Sequence, residues 1–159
     1  MSEVSKVLPF AVPPVVKSVT VRCPPAVAFR RFAEEIGAWW PLATHHIGDD
    51  PQSCTMEGRV GGRLFERSKD GAERVWGVVE QWEPPRRLAF SWQVRVTAEE
   101  AQRIEVTFTP APGGTRVQLV HSGWEKLGDA AAARRDNYDK GWGRVFEQCF
   151  ADYANSKPA

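Results

Sequence analysis

Between residues 54 and 124 the chain breaks into short alternating apolar runs separated by tight turn signals, a rhythm that narrows its fold more than any other feature. CTMEGR, GRLFERS, RVWGVVEQW, RLAFSWQV, RIEVTFTP and TRVQLVHSGW read as six strands. They are joined by Gly61-Gly62, Lys69-Asp70-Gly71, Glu83-Pro84-Pro85, residues 97–102 and Pro112-Gly113-Gly114. Connections this short make consecutive strands antiparallel neighbours. VVKSVTVR at residues 15–22 is a further β-branched, alternating run, which brings the sheet to about seven strands, enough to bend strongly.

Two helical patterns flank the meander. Pro24-Pro25 opens a first helix whose Phe29, Phe32, Ala33 and Ile36 recur at helical spacing, with Gly37 as its end. AWWPLATHHIGDDP follows as a short irregular or helical link that carries Trp39, Trp40, His45 and His46 and reads as the mobile element of the chain. At the other end, GDAAAARRDNYDKGWGRVFEQCFADYANS reads as one long helix with Asp129 as N-cap. Its stripe of Tyr138, Trp142, Val145, Phe146, Cys149, Phe150 and Tyr153 lies along one face. Gly141 and Gly143 flank Trp142 in mid-helix at about 1 kcal/mol each relative to Ala, a cost that close approach to the sheet or a kink beside a cavity would explain.

By strand parity, Ile104, Val106 and Phe108, then Val117, Leu119 and His121, then Leu88, Phe90 and Trp92 form apolar rows facing that helix. The result is an α+β architecture: a curved antiparallel sheet of about seven strands wrapped on a long C-terminal helix. The stretch VWGVVEQWEPPRRLAFSW places Trp76, Trp82 and Trp92 close together, and indoles suit the lining of a hollow between sheet and helix. Parity leaves the facing of Trp76 and Trp82 open, because both faces of their strand are apolar.

A chain of 159 residues fits one domain over residues 15–155, with a Pro-rich extended arm over residues 1–14. The 21 basic and 20 acidic side chains nearly cancel, which argues against nucleic-acid or anionic-membrane partners. Neither a secretory h-region nor a membrane-length apolar run appears, and Cys23, Cys54 and Cys149 are odd in number and widely spaced. These features imply a cytoplasmic protein with free thiols. His45-His46 with Cys54 matches no metal-ligand spacing, and no nucleotide or nucleophile motif is present, so no metal and no cofactor are expected.

GGRLFE (residues 61–66), WGVVEQWEPPRRLAFSW (76–92), the FTP-GGTRVQL run with HSGWEKLG (121–128), the late Gly141-Trp142 and WWP at residues 39–41 together resemble the bacterial SRPBCC, START-like family. More narrowly they resemble its branch of proteins like the homologue of the activator of heat-shock-protein-ninety ATPase. The resemblance implies a helix-grip, START/Bet v-like fold with a tunnel or cup between the terminal helix and the sheet. The superfamily includes small-ligand carriers, polyketide cyclases, hormone receptors and chaperone-activating domains, so the fold alone does not choose a function.

The leading expectation is therefore a protein that encloses a small apolar or aromatic molecule. Its expected lining is Trp40, Trp76, Phe90, Trp92, Phe108, His121, Tyr138, Trp142 and Phe146. The alternative is a cyclase- or dehydratase-type enzyme using His121 and Glu66 as an acid/base couple, since burial shifts both groups towards neutrality. Against that couple, His121 could instead be a satisfied core residue and Glu66 could pair with Arg63 or Arg74. If Phe65 faces inward, only a bulge near Gly61-Gly62 brings Glu66 inward as well. Trp39 and Trp40 could close a mouth of the cavity, staple the link, or meet a partner. A chaperone- or protein-interaction module, and a homodimer, stay open.

Overall fold

A computed structural model of the chain describes residues 12–156. Seven strands form a single antiparallel sheet in the order β1-β7-β6-β5-β4-β3-β2. They are β1 (Val15–Val21), β2 (Pro51–Met56), β3 (Arg63–Ser68), β4 (Glu73–Glu83), β5 (Arg87–Trp92), β6 (Gln102–Ala111) and β7 (Gly114–Ser122). Every connection in the meander joins neighbours, as its short turns require, and β1 closes the far edge by pairing Val15 with His121 and Val19 with Val117. Most of the proposed N-terminal arm lies outside the described residues.

Two short helices follow β1. In α1 (Pro25–Ala33), Pro25 occupies the first turn, where its missing N–H costs nothing, and Ala28, Phe29, Phe32 and Ala33 are buried. Gly37 does not end this helix. It sits inside α2 (Ile36–Trp39), where a Cβ would lie 2.6 Å from the Cys54 carbonyl oxygen, so glycine lets α2 touch the backbone of β2. The Trp39 indole N–H reaches the carbonyls of Arg31 (3.0 Å) and Phe32 (3.2 Å), satisfying acceptors that the end of α1 leaves unpaired.

The C-terminal helix is less regular than its stripe suggested. A 3₁₀ segment (Trp124–Ala130) leads into α3 (Ala131–Trp142), a π-helical stretch (Gly143–Phe150) and α4 (Ala151–Ser156). Asp129 falls within the 3₁₀ segment and caps nothing; Ala130 holds the cap position, without a side-chain bond. The predicted core rows on β5, β6 and β7 are buried beneath this helix.

Two irregularities set the facing of the ambiguous strands. The β3–β4 register shifts between Leu64 and Phe65, and the β4–β5 register shifts between Val79 and Gln81. On β3 simple alternation puts Leu64 and Glu66 on one face and Phe65 on the other, and all three are buried. Phe65 is covered on the outer side by the Arg63 guanidinium, 4.1 Å from its ring centroid, while Glu66 turns to the helix side. The first shift gives β4 an extra residue at Trp76 and lets Trp76 and Val79 both point into the core despite their odd spacing; the second, at Glu80, lets Trp82, three residues beyond Val79, pack on Phe29 at 5.0 Å.

Candidate functional site

The helix and the sheet enclose two different environments. At one end Phe29, Phe32, Phe108, Phe146 and Phe150 make a dry cluster, with Phe146 stacked on Phe150 at 5.5 Å. At the other end four indoles meet in a closed ring. Trp40 lies 5.0 Å from Trp76, Trp76 lies 6.0 Å from Trp92, Trp92 lies 5.9 Å from Trp142, and Trp142 lies 6.0 Å from Trp40. Instead of a tunnel running between helix and sheet, a cleft of about 270 Å³ opens to solvent beside this ring.

Three parts of the chain wall the cleft: α3 and the π-helical stretch after it contribute Asn137, Tyr138, Gly141, Trp142 and Val145; the sheet and the turn after β5 contribute Trp76, Trp92, Val94 and Arg95; the link contributes Trp40, Thr44, His45, His46 and Ile47. Trp40, Trp76, Trp92, Tyr138 and Trp142 thus come together as the sequence suggested. Phe90, Phe108, His121 and Phe146 do not line it. Each is almost wholly buried: Phe108 and Phe146 belong to the phenylalanine cluster, Phe90 lies behind Trp92, and His121 sits beneath Trp124, 4.2 Å between ring centroids. Parity puts a residue on the inner face but cannot say which end of that face stays open.

Hydrogen bonds fix the orientation of every indole in the ring. Trp40 donates to the His45 carbonyl (2.9 Å), Trp76 to Glu66 Oε1 (2.7 Å), Trp92 to the Tyr138 hydroxyl (2.9 Å) and Trp142 to His121 Nδ1 (3.0 Å). Because an indole only donates, His121 Nδ1 must be bare and its proton sits on Nε2, 3.1 Å from Gln102 Oε1. The Gln102 amide nitrogen in turn donates to the Glu100 carbonyl (2.7 Å), so the amide is oriented with its oxygen towards the ring. Burial pulls the His121 pKa down to about 3, which keeps the imidazole neutral and consistent with this tautomer.

Glu66 is tied just as fully. Its Oε1 accepts from the Ile47 amide (2.6 Å) as well as from Trp76, and its Oε2 accepts from the Gly48 amide (2.8 Å). The cross-sheet pairing with Arg63 or Arg74 is not made: Arg63 bonds Glu57 and Glu73 on the outer face. The carboxylate instead fastens the link across the cleft. Burial, and after it the charge of Glu66, pushes the neighbouring Cys54 thiol up to about 12. His121 has both ring nitrogens bonded, to Trp142 and Gln102, and Glu66 accepts three N–H bonds, from Trp76, Ile47 and Gly48.

What remains available to a molecule in the cleft comes from groups that the sequence reading did not single out as ligands. The Tyr138 hydroxyl accepts the Trp92 N–H, and among the described residues its own proton has no acceptor. His46 donates from Nδ1 to the Gly48 carbonyl (2.7 Å), so in the neutral ring Nε2 is a free acceptor. Arg95 donates to the His46 carbonyl (3.1 Å) across the mouth. His45 is held below its ordinary pKa, first by burial and then by the charges of Arg144 and His46. Gly141 carries the one readable signal for this side, since a Cβ there would meet nothing within 4 Å and would project into free space. Among the described residues no group of His, Cys, Asp and Glu side chains is arranged to hold a metal, and no helix is long and apolar enough to cross a membrane.

Residues 22–154 match the family described as activator of Hsp90 ATPase homolog 1-like protein. The chain belongs to that family. It is a member of the SRPBCC superfamily, and its curled seven-stranded sheet with a long C-terminal helix is the α+β helix-grip fold. Among solved structures it is similar to the anthrahydroquino-gamma-pyrone synthase Txn09, with 33% identity over 91% of this chain and 98% of that one and a TM-score of 0.59. It is also similar to CalC, a self-sacrificing resistance protein of Micromonospora echinospora, with 27% identity over 92% and 98% and a TM-score of 0.64. An AHSA1-like protein of Aeromonas hydrophila, at 22% identity over 88% and 90% and a TM-score of 0.60, shares the fold. No curated protein matches the chain.

Proposed function

We propose that the cleft binds a small, flat aromatic molecule bearing an acceptor oxygen. The observation that carries this reading is the Tyr138 hydroxyl. By accepting the Trp92 N–H it becomes a better donor, and its proton is uncommitted among the described residues at the wall of an indole-lined cleft. Indole faces favour stacked or edge-on aromatic partners over aliphatic ones. The volume of about 270 Å³ is just under the ~300–1,000 Å³ usual for ligand sites, so the occupant is compact or protrudes from the mouth.

A second reading, a cyclase- or synthase-type enzyme acting on an aromatic polyketide-like substrate, is favoured by the 33% identity to a pyrone synthase. In that reading proton transfer falls to Tyr138 and His46, which face the cleft, and not to the hydrogen-bonded pair His121 and Glu66. The reading as a chaperone-interaction module has only the family's name in its favour. Native mass spectrometry of protein purified gently from its own host tests the binding reading. A retained aromatic molecule, lost or much reduced in Tyr138→Phe, is the expected result. Retention of a long aliphatic chain, indifferent to Tyr138, would overturn it.

A further inference from the structure

We infer that the occupant of the cleft is an anion: a planar aromatic molecule whose carboxylate or ionised hydroxyl meets Arg95 at the mouth. The inference rests on the aromatic-ligand reading above and adds the charge of the ligand. No carboxylate lines the cleft, and Arg95 is its one permanently charged lining residue. On the sheet Arg63 and Arg67 are matched with Glu73, Arg87 with Glu83 and Glu105, and Arg103 with Glu80, whereas Arg74 and Arg116 are exposed to solvent and, among the described residues, in no ion pair. Arg95, among the described residues, is in no ion pair; a single N–H on the His46 carbonyl uses a fraction of its five donors.

The backbone strengthens the case. Arg95 has φ 60°, in the left-handed region where a side chain costs about 1–2 kcal/mol and glycine almost nothing. An arginine held there lines the cleft at a position where stability alone favours glycine. Strain of this kind is concentrated where a side chain is needed for function. A guanidinium also presents a planar fork that matches a carboxylate or a pair of oxygens on an aromatic rim.

The competing electrostatic influence is Glu66, whose carboxylate lies one hydrogen bond behind Trp76 and Ile47. Three N–H donors surround it, and Trp76 stands between it and the cleft, whereas Arg95 lines the cleft directly. The nearer and less compensated charge sets the preference.

The test is calorimetric titration of the full chain with three probes of one ring system: naphthalene-2-carboxylate, 2-naphthalenemethanol and 2-naphthylmethylammonium. The carboxylate should bind about tenfold or more tighter than the alcohol, and the ammonium weakest. In Arg95→Gln that advantage should vanish while the alcohol binds as before, and Arg95→Lys should keep part of it. Equal binding of carboxylate and alcohol, or an unchanged preference in Arg95→Gln, overturns the inference and leaves the aromatic reading standing. Preference for the ammonium overturns it in favour of control by Glu66. If none of the three binds, the aromatic reading falls and takes the inference with it.

Discussion

The two ends of the space between helix and sheet are built from different aromatic residues, and the difference separates filling from walling. Phe29, Phe32, Phe108, Phe146 and Phe150 carry no polar handle and pack ring on ring until no cleft is left between them. Trp40, Trp76, Trp92 and Trp142 each carry one N–H, and each N–H is anchored to a fixed acceptor. An anchored indole cannot collapse into neighbouring space, so a wall of them keeps a cleft open at no cost in unpaired donors. His121 marks the seam, bonded to Trp142 and packed at a tilt against Trp124.

The sharpest way to break this contrast is to truncate one ring at each end. Phe32 touches Trp39, Phe108, Phe146 and Phe150 and is fully buried, so Phe32→Ala should cost about 3–5 kcal/mol in urea denaturation. Trp40 is only half-buried, so Trp40→Ala should cost about 1–2 kcal/mol while weakening aromatic ligands more than it weakens the fold. Equal costs at the two positions would mean that both ends are simply core.

A smaller effect tests the seam. The His121 pKa is about 3 in the folded protein against an ordinary value of 6.5, so as pH falls the unfolded chain takes up the proton first. The stability present above pH 6.5 is therefore lost as pH falls towards 3, at about 1.4 kcal/mol per unit. Between pH 7 and 5 the wild type should lose about 2 kcal/mol more than His121→Gln, read from urea midpoints at both pH values. Identical pH dependence in the two proteins would show that the ring charges without penalty and is not locked between Trp142 and Gln102.

The smallest effect separates two glycines. Gly141→Ala and Gly143→Ala should each raise stability by about 0.5–1 kcal/mol, since the first Cβ would meet nothing and the second only Glu147 Oε1 at 3.5 Å. Only the first adds a methyl to the cleft, so only Gly141→Ala should weaken aromatic binding. Loss of binding in both would place the effect in the helix and not in the cleft.

Much of the fold was legible in the sequence because its signals are local. Alternation on β6 and β7 put Ile104, Val106, Phe108, Val117 and Leu119 on the inner face, and tight turns made neighbours of consecutive strands. Pro25 and the Phe29–Phe32 spacing marked α1. Sequence also brought forward five of the aromatic residues that wall the cleft. It gave no sign of Arg95, whose left-handed backbone follows from the path of the chain after β5, and it left His121 open between an acid/base role and a satisfied core residue, where the structure shows both ring nitrogens hydrogen-bonded. Mid-helix Gly141 was a legible sign of a nearby cavity, though not of its side.

What the amino-acid order settled alone is periodicity: strands, their neighbours, an apolar helix stripe and a surplus of indoles. Tertiary structure decided the two register shifts that turn Trp76 and Trp82 inward, the end at which helix and sheet part, and the acceptor for each indole. The reason is physical. A side-chain period is imposed by residues within one or two turns of each other, whereas the Trp92–Tyr138 and Trp76–Glu66 bonds join groups brought together only when the sheet has curled and the helix has docked.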